Sequence, residues 1–275
     1  MNDYLISLIL GILEGVTEFL PISSTAHLRI AEAWLNISLD SGYWKMYTIV
    51  IQLGAILCLP VYFRERILKF LSTFPSRRHP LLLVALAFVV TAIPSFLLSK
   101  LIGENLESLR IMGLALILGG VVMWIVDRAS RVRTERMEDM SWFQAFWIGA
   151  CQILSAVFPG TSRSMATIAA GQIAGMSRAS ALEFSFFLSI PTMAAATGYD
   201  LLKSVLGKGE TNVGVSGIDT HGWIVLLIGF VVSFFVAYGS VAWFMEWVRR
   251  RGFVPFAIYR ILFGAIVLIY ALRLS

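Results

Sequence analysis

Charged side chains are scarce in this chain. Lys, Arg, Asp and Glu make up 14% of its 275 residues, against about a quarter in soluble domains, and that shortage excludes an ordinary water-facing surface. Cysteine is scarcer still: Cys58 and Cys151 both fall in apolar segments, which argues against a disulfide or thiolate-metal framework. Nor does a basic leader open the chain. Asp3 stands where a signal peptide would be positive, and Glu14 and Glu18 break the apolar run, so the opening segment reads as mature protein.

What is abundant is apolar. Hydrophobic residues make up 58% of the chain and the mean hydropathy is +0.79, a balance that belongs to a lipid solvent. A hydrocarbon core about 30 Å thick needs roughly 20 apolar residues per helix. Stretches near that length lie at 46–63, 81–99, 111–126, 184–199, 223–245 and 253–272, which predicts six spans in an all-α polytopic membrane protein. Two further apolar stretches, 4–35 and 142–176, are interrupted by polar clusters.

The net charge of +5 sorts by loop. Arg64, Arg66, Lys69, Arg77 and Arg78 share one, Arg128, Arg131, Arg133 and Arg136 another, and Arg249, Arg250 and Arg251 a third, whereas the alternating loops hold only Lys100, Arg110, Lys203 and Lys208. The positive-inside rule makes the first set cytoplasmic and places both termini outside. This distribution accounts for the basic charge without a nucleic-acid partner.

The chain also resembles itself. At an offset of 138, Gly11, Glu14, Thr17, Pro21, Ser23 and Ser24 fall against Gly149, Gln152, Ser155, Pro159, Thr161 and Ser162. Collinear matches follow at offsets of 137, 142 and 150, the last pairing Arg110–Ile111 with Arg260–Ile261. The repeats run over about 1–130 and 140–275, each an interrupted segment followed by three spans. An odd number of spans inverts the second copy relative to the first. In such folds the interrupted segments are broken helices whose turns meet near the midplane.

The first break carries Glu14, Glu18, Pro21, Ser23, Ser24, Thr25 and His27. Glu14 and Glu18, four residues apart, share a helix face near its negative C-terminal end. Protonation, a basic partner or a divalent cation bound through oxygen must relieve their repulsion; a neutral, hydrogen-bonded structural Glu is the plainer reading. Ser23, Ser24 and Thr25 suit the start of the next half-helix, whose free N–H groups attract anions. Ser24 and His27 are three residues apart, so a hydroxyl and an acid or base share a face, although a packing histidine is equally compatible. In the second break, Pro159-Gly160-Thr161-Ser162-Arg163-Ser164 puts a planar, permanently charged fork among hydroxyls. Arg163 suits a phosphate, or a structural pair with Glu14 or Glu18. Gln52, Glu183 and Arg260 lie in apolar surroundings as orienting or structural groups, and Asp127, Asp200 and Glu246 at span ends read as solvated.

Glu14-Gly15-Val16-Thr17-Glu18-Phe19-Leu20-Pro21 with Ser23-Ser24-Thr25 and His27, followed by Pro159-Gly160-Thr161-Ser162-Arg163-Ser164 and Thr167, resembles the bacitracin-resistance type of undecaprenyl-diphosphate phosphatase. The likeness extends through Ile51-Gln52-Leu53-Gly54, Glu183-Phe184-Ser185-Phe186 and Pro255 to Arg260. It implies six spans plus two re-entrant hairpins, a multi-pass protein of the bacterial plasma membrane with its site open to the outer face, and release of phosphate from the polyprenyl carrier of peptidoglycan synthesis. On matching positions, Glu14 and Glu18 would hold a divalent cation, Mg or Ca, or act in acid/base steps. Ser24 would be the candidate nucleophile, with His27 protonating, activating or itself attacking, and attack by a water is left open beside both. Arg163 would grip the diphosphate with Ser162 and Thr167, and Ser23, Thr25 and Ser164 complete the expected substrate contacts. A homodimer is left open. Ala26 and Met165 stand where the family pattern has glycine, and Met165 adds bulk beside Arg163.

A transporter or flippase for polyprenyl phosphate is the rival, since inverted repeats with midplane breaks are common in secondary transporters. The presence of a nucleophile, an acid/base group and a phosphate fork together favours the enzyme. A second type of membrane lipid phosphatase, which needs a histidine after its Ser-Arg, is excluded because none follows Arg163 within ten residues.

Overall fold

A computed structural model describes residues 2–37, 42–74, 79–98, 108–205 and 218–273. Arg77, Arg78, Lys100 and Lys208 lie outside these. The described residues are helical: α1 (Asp3–Thr17), α2 (Ser24–Trp34), α3 (Gly42–Tyr62), α4 (Arg64–Ser72), α5 (Pro80–Leu97), α6 (Leu109–Ala129), α7 (Trp142–Val157), α8 (Arg163–Ile173), α9 (Arg178–Val205), α10 (Thr220–Arg251) and α11 (Val254–Arg273). Six of them, α3, α5, α6, α9, α10 and α11, are long and apolar enough to cross a membrane. The protein is therefore a multi-pass membrane protein. The interrupted stretches become two shorter helix pairs, α1/α2 and α7/α8, each broken at its polar cluster.

Span ends depart from the apolar runs. Arg249, Arg250 and Arg251, expected in a loop, form the last turn of α10, where cations face the negative end of the helix dipole. The loop after α3 contains the amphipathic helix α4.

The chain divides into two compact units, and each draws on both halves of the sequence. The first comprises residues 1–19, 27–63 and 189–242. Its core sets Ile6 and Leu10 of α1 with Leu28 of α2, Tyr47 and Ile51 of α3, and Val225 and Leu226 of α10. Polar groups join the same helices. The Ser7 hydroxyl donates to the Val225 carbonyl at 2.7 Å, and the Tyr47 hydroxyl lies 2.8 Å from the Ser7 carbonyl. Helix α1 meets α10 through small residues, since a methyl at Gly15 would lie 2.7 Å from the Val236 Cβ and 2.8 Å from the Ser233 carbonyl. Close backbone approach of this kind drives helix association in lipid, where apolar contact alone gives no preference for protein over solvent.

The second unit comprises residues 20–26, 64–188 and 243–275. Helices α6 and α11 cross where Gly113 and Gly264 face each other's carbonyls. Helices α5 and α7 cross at Gly149, whose carbonyl accepts the Thr91 hydroxyl at 2.8 Å. One end of this unit gathers the basic segments. Arg66 of α4 binds Glu138 at 2.6 Å and Glu183 of α9 at 2.7 Å. Burial alone would raise the Glu138 carboxyl, but the Arg66 guanidinium outweighs it and holds the group below the usual carboxylate range. Asp127, expected in solvent, is buried. Its carboxylate takes Arg178 Nε at 2.6 Å and the Phe253 N–H at 3.1 Å, which fixes the end of α6 to the start of α9 and to the turn before α11.

Candidate functional site

Both helix breaks follow one local design. Helix α1 ends at Thr17 and the chain passes through Leu20-Pro21-Ile22 before α2 starts at Ser24. Helix α7 ends at Val157 and the chain passes through Pro159-Gly160-Thr161 before α8 starts at Arg163. In each case the residue just before the second helix is a serine in the left-handed region, Ser23 at φ 71° and Ser162 at φ 68°. Such a conformation is costly for a residue with a Cβ and persists only where the surroundings impose it. It pairs Ser23 with Ser162, an offset of 139, so the two turns differ by one residue from the register of 138 read in the sequence.

Within the second unit the two breaks are joined. Arg260 of α11 is fully buried. One terminal nitrogen donates to the Pro21 carbonyl at 3.0 Å; the other reaches the carbonyls of Thr161 at 3.0 Å, Ala115 at 3.1 Å and Gly160 at 3.2 Å. A hydroxyl chain makes a second link. Met165 N–H donates to Ser162 Oγ at 3.4 Å, Ser162 and Ser164 Oγ lie 3.1 Å apart, and Ser164 Oγ donates to the Leu20 carbonyl at 2.9 Å. Because the Ser164 proton is committed to Leu20, the proton between the two serines comes from Ser162.

The expected site residues divide accordingly. Ser23, Ser24, Thr25, Ser162, Arg163, Ser164 and Thr167 belong to the second unit. Ser24 opens α2 and Arg163 opens α8, so each stands at a helix N-terminus, where free N–H groups and the dipole favour an anion. Ser164 and Thr167 are buried. The Thr167 hydroxyl donates to the Arg163 carbonyl at 2.9 Å and lies 2.7 Å from Ser185 Oγ of α9, so it fastens α8 to its neighbour. The bulk of Met165 is taken up against α6, since a methyl at Gly119 would lie 2.7 Å from the Met165 Cε. Ala26 is fully buried on α2.

Glu14, Glu18 and His27 belong to the first unit. Both carboxyls are buried, Glu14 at 1% and Glu18 at 7% exposure, one helical turn apart. His27 is also buried and lies one turn along α2 from Ser24. Among the described residues no three His, Cys, Asp or Glu side chains gather to hold a metal. Two carboxylates alone are a partial set of hard oxygen donors of the kind that holds Mg²⁺ when phosphate oxygens and water complete the shell. Arg260 is the residue whose part sequence reasoning left open between orienting and structural. Its signal was an arginine in the middle of an otherwise apolar span.

Comparison with known proteins follows the same lines. The family model described as "Bacitracin resistance protein BacA" matches residues 7–266. A protein of Koribacter versatilis (strain Ellin345) named undecaprenyl-diphosphatase is 62% identical over 99% of this chain and 100% of its own length. Proteins of the same name from Rhizobium etli (strain CIAT 652) and Sorangium cellulosum (strain So ce56) are 41% and 43% identical, over 97% and 95% of this chain and 96% and 84% of their own.

Proposed function

This chain belongs to the bacitracin resistance protein BacA family, and from that premise we propose that it hydrolyses undecaprenyl diphosphate to undecaprenyl phosphate and inorganic phosphate, recycling a lipid carrier of cell-wall synthesis. The observation that carries the reading is the junction of two broken-helix turns. Arg260 and Ser164 tie Leu20-Pro21 to Gly160-Thr161, so two helix starts, one bearing Ser24 and the other Arg163, are held in one unit. Two N-termini and a guanidinium suit a diphosphate better than any neutral headgroup. A binding protein would need the anion grip alone, and the added Ser24–His27 pair favours hydrolysis over transport.

In the reaction, Ser24 Oγ attacks the terminal phosphorus while His27 accepts its proton. The Oγ–P bond forms and the bridging P–O bond breaks, and undecaprenyl phosphate leaves with the His27 proton on the oxygen that had bridged, which returns His27 to its neutral form. Water then attacks the phosphoserine, giving a proton to His27; the P–Oγ bond breaks, His27 returns the proton to Ser24 Oγ, and phosphate is freed. Arg163 neutralises charge on the transferred group. Ser162, Ser164 and Thr167 hold that group's surroundings in place through the hydroxyl chain and the Ser185 contact. Glu14 and Glu18 would hold a divalent cation, Mg or Ca, which when bound supplies further neutralisation of the phosphates. The basic segments gathered at one end of the second unit support a cytoplasmic placing of that end, with both termini and the site facing outward. The shared left-handed serine supports an inverted repeat whose α1/α2 and α7/α8 pairs are re-entrant hairpins.

The test is phosphate release from undecaprenyl diphosphate by detergent-purified protein, with and without divalent cation, for the parent and for Ser24→Ala, Glu18→Ala and Arg163→Ala. Cation-dependent activity that collapses in all three is expected. Full activity in the variants would place the chemistry elsewhere, and an inactive, correctly folded parent would favour transport.

A further inference from the structure

Among the described residues, the guanidinium of Arg260 forms no ion pair. Its acceptors are four main-chain carbonyls, and its Nε is buried without a hydrogen-bond partner. A buried charge held this way is costly and contributes little as packing. The carbonyls it collects are specific: Pro21 in the first break, Gly160 and Thr161 in the second.

The planar trans peptide decides what this does. In each peptide the C=O of one residue and the N–H of the next point in opposite directions. Drawing the Pro21, Gly160 and Thr161 oxygens to Arg260 therefore turns the N–H groups of Ile22, Thr161 and Ser162 to the far side. Two of these are satisfied nearby, Ile22 N–H by the Leu20 carbonyl at 2.8 Å and Thr161 N–H by the Phe158 carbonyl at 3.2 Å. The Ser162 N–H makes no hydrogen bond among the described residues. It sits directly before α8, and the start of a helix is where N–H groups and the dipole favour an anion.

We infer that Arg260 is a positioning residue for the reaction: by holding the Pro21, Gly160 and Thr161 carbonyls on one buried guanidinium, it fixes the two turns together and presents the Ser162 N–H, with the start of α8, to the phosphate. Among the described residues, the hydrogen bonds of Arg260 go to main chain only. The inference rests on the phosphatase reading for its ligand, whereas the joining of the two turns has a readout of its own.

The experiment compares the parent with Arg260→Lys and, as an independent perturbation, Gly119→Ala, whose added methyl would crowd the Arg260 terminal nitrogen and the Met165 Cε. Lysine keeps the charge but lacks the fork that reaches both breaks at once. In detergent-purified protein of confirmed fold, both variants are expected to lower kcat by about 100-fold or more, in the range lost with an oxyanion donor, with KM changed less than about threefold because the lipid tail and Arg163 still bind. Hydrogen exchange is measured on the same samples. Peptides covering 20–24 and 159–164 are both expected to exchange faster in each variant, and this holds whether or not the parent hydrolyses the lipid. An inactive parent whose variants still loosen both peptides overturns the phosphatase reading alone. A folded Arg260→Lys protein with the parent's kcat, or one that loosens neither peptide, overturns the positioning role. Should Arg260→Lys not fold, Gly119→Ala decides by the same two readouts.

Discussion

Ser164→Ala isolates the link between the breaks without touching a charge. The hydroxyl lost is fully enclosed, donates to the Leu20 carbonyl at 2.9 Å and receives the Ser162 hydroxyl at 3.1 Å. Stripping a buried acceptor of its only donor costs about 1–3 kcal/mol. Leu20 keeps one donor, the Ile22 N–H at 2.8 Å, and Ser162 keeps the Met165 N–H, so the lower half of that range applies, about 1–2 kcal/mol. For a chain of this size that corresponds to a fall in Tm of roughly 2–8 °C. The effect on rate should exceed the effect on stability, because an error of about 1 Å in a reacting geometry can cost as much as 100-fold. The expected result is a folded protein with kcat/KM for undecaprenyl diphosphate reduced about 10- to 100-fold. Thermal unfolding in detergent and initial rates of phosphate release, read on the same preparation, check both numbers. A variant matching the parent in Tm and rate would show that the Leu20 link is incidental, and of these two links Arg260 would then be the one that couples the breaks.

Other predictions concern the supports of that arrangement. Asp127→Ala leaves Arg178 and the Phe253 N–H without their acceptor; with Arg178 half-exposed, the loss should be about 1–3 kcal/mol, seen as a lower Tm with KM unchanged, and a Tm equal to the parent's would refute it. Gly149→Ala places a methyl 2.5 Å from the Ala87 carbonyl oxygen, so α5 or α7 must shift and stability should fall by about 1–3 kcal/mol; unchanged unfolding would mean that this crossing yields freely. For Glu138, a folded-state value below the ordinary one makes its contribution complete above the unfolded pKa, about 4.3, and lost as pH falls through the folded value. The Tm gap between the parent and Glu138→Gln should therefore be present at pH 6 and close below about pH 4, and being half-exposed it should amount to about 1 kcal/mol or less. A gap constant over that range would rule out the Arg66 contact as its source.

The six spans were legible because lipid leaves no alternative: a backbone crossing it must be helical and about 20 apolar residues long. Their ends were less so. Hydropathy stops where the side chains turn polar, but the α10 backbone continues through Arg249, Arg250 and Arg251, which stabilise the end they occupy. The breaks were marked by Pro21 and by Pro159-Gly160, and the hydroxyl and charged residues around them by their oddity in an apolar chain. What those hydroxyls do was not marked. Thr167 reads in sequence like a phosphate ligand, yet its oxygen is occupied by the Arg163 carbonyl and Ser185. Asp127 reads as solvated because it ends a span, and only the packing of α9 and the α10–α11 turn against it shows otherwise. Single-residue patterns carry residue type and period, whereas these assignments depend on tertiary partners: Ser185 is 18 positions from Thr167, and Arg178 and Phe253 are 51 and 126 positions from Asp127.

The left-handed serines follow the same logic from the other direction. Nothing in residue type predicts φ near 70° at Ser23 or Ser162, since serine gains no freedom there and glycine would relieve the strain. A conformation disfavoured at its own residue must be held by its neighbours. The angle φ at Ser162 is set by the plane of the Thr161–Ser162 peptide, and rotation of that plane is the local route by which the strain could relax. Arg260 holds the carbonyl of that same peptide at 3.0 Å, so relaxing the serine means giving up a hydrogen bond to a buried guanidinium, a loss of about 1.5–3 kcal/mol against a strain of about 1–3 kcal/mol. The two terms are of one size, which explains how an unfavourable serine persists. It also explains why the arginine and the turn it holds should be lost or kept together.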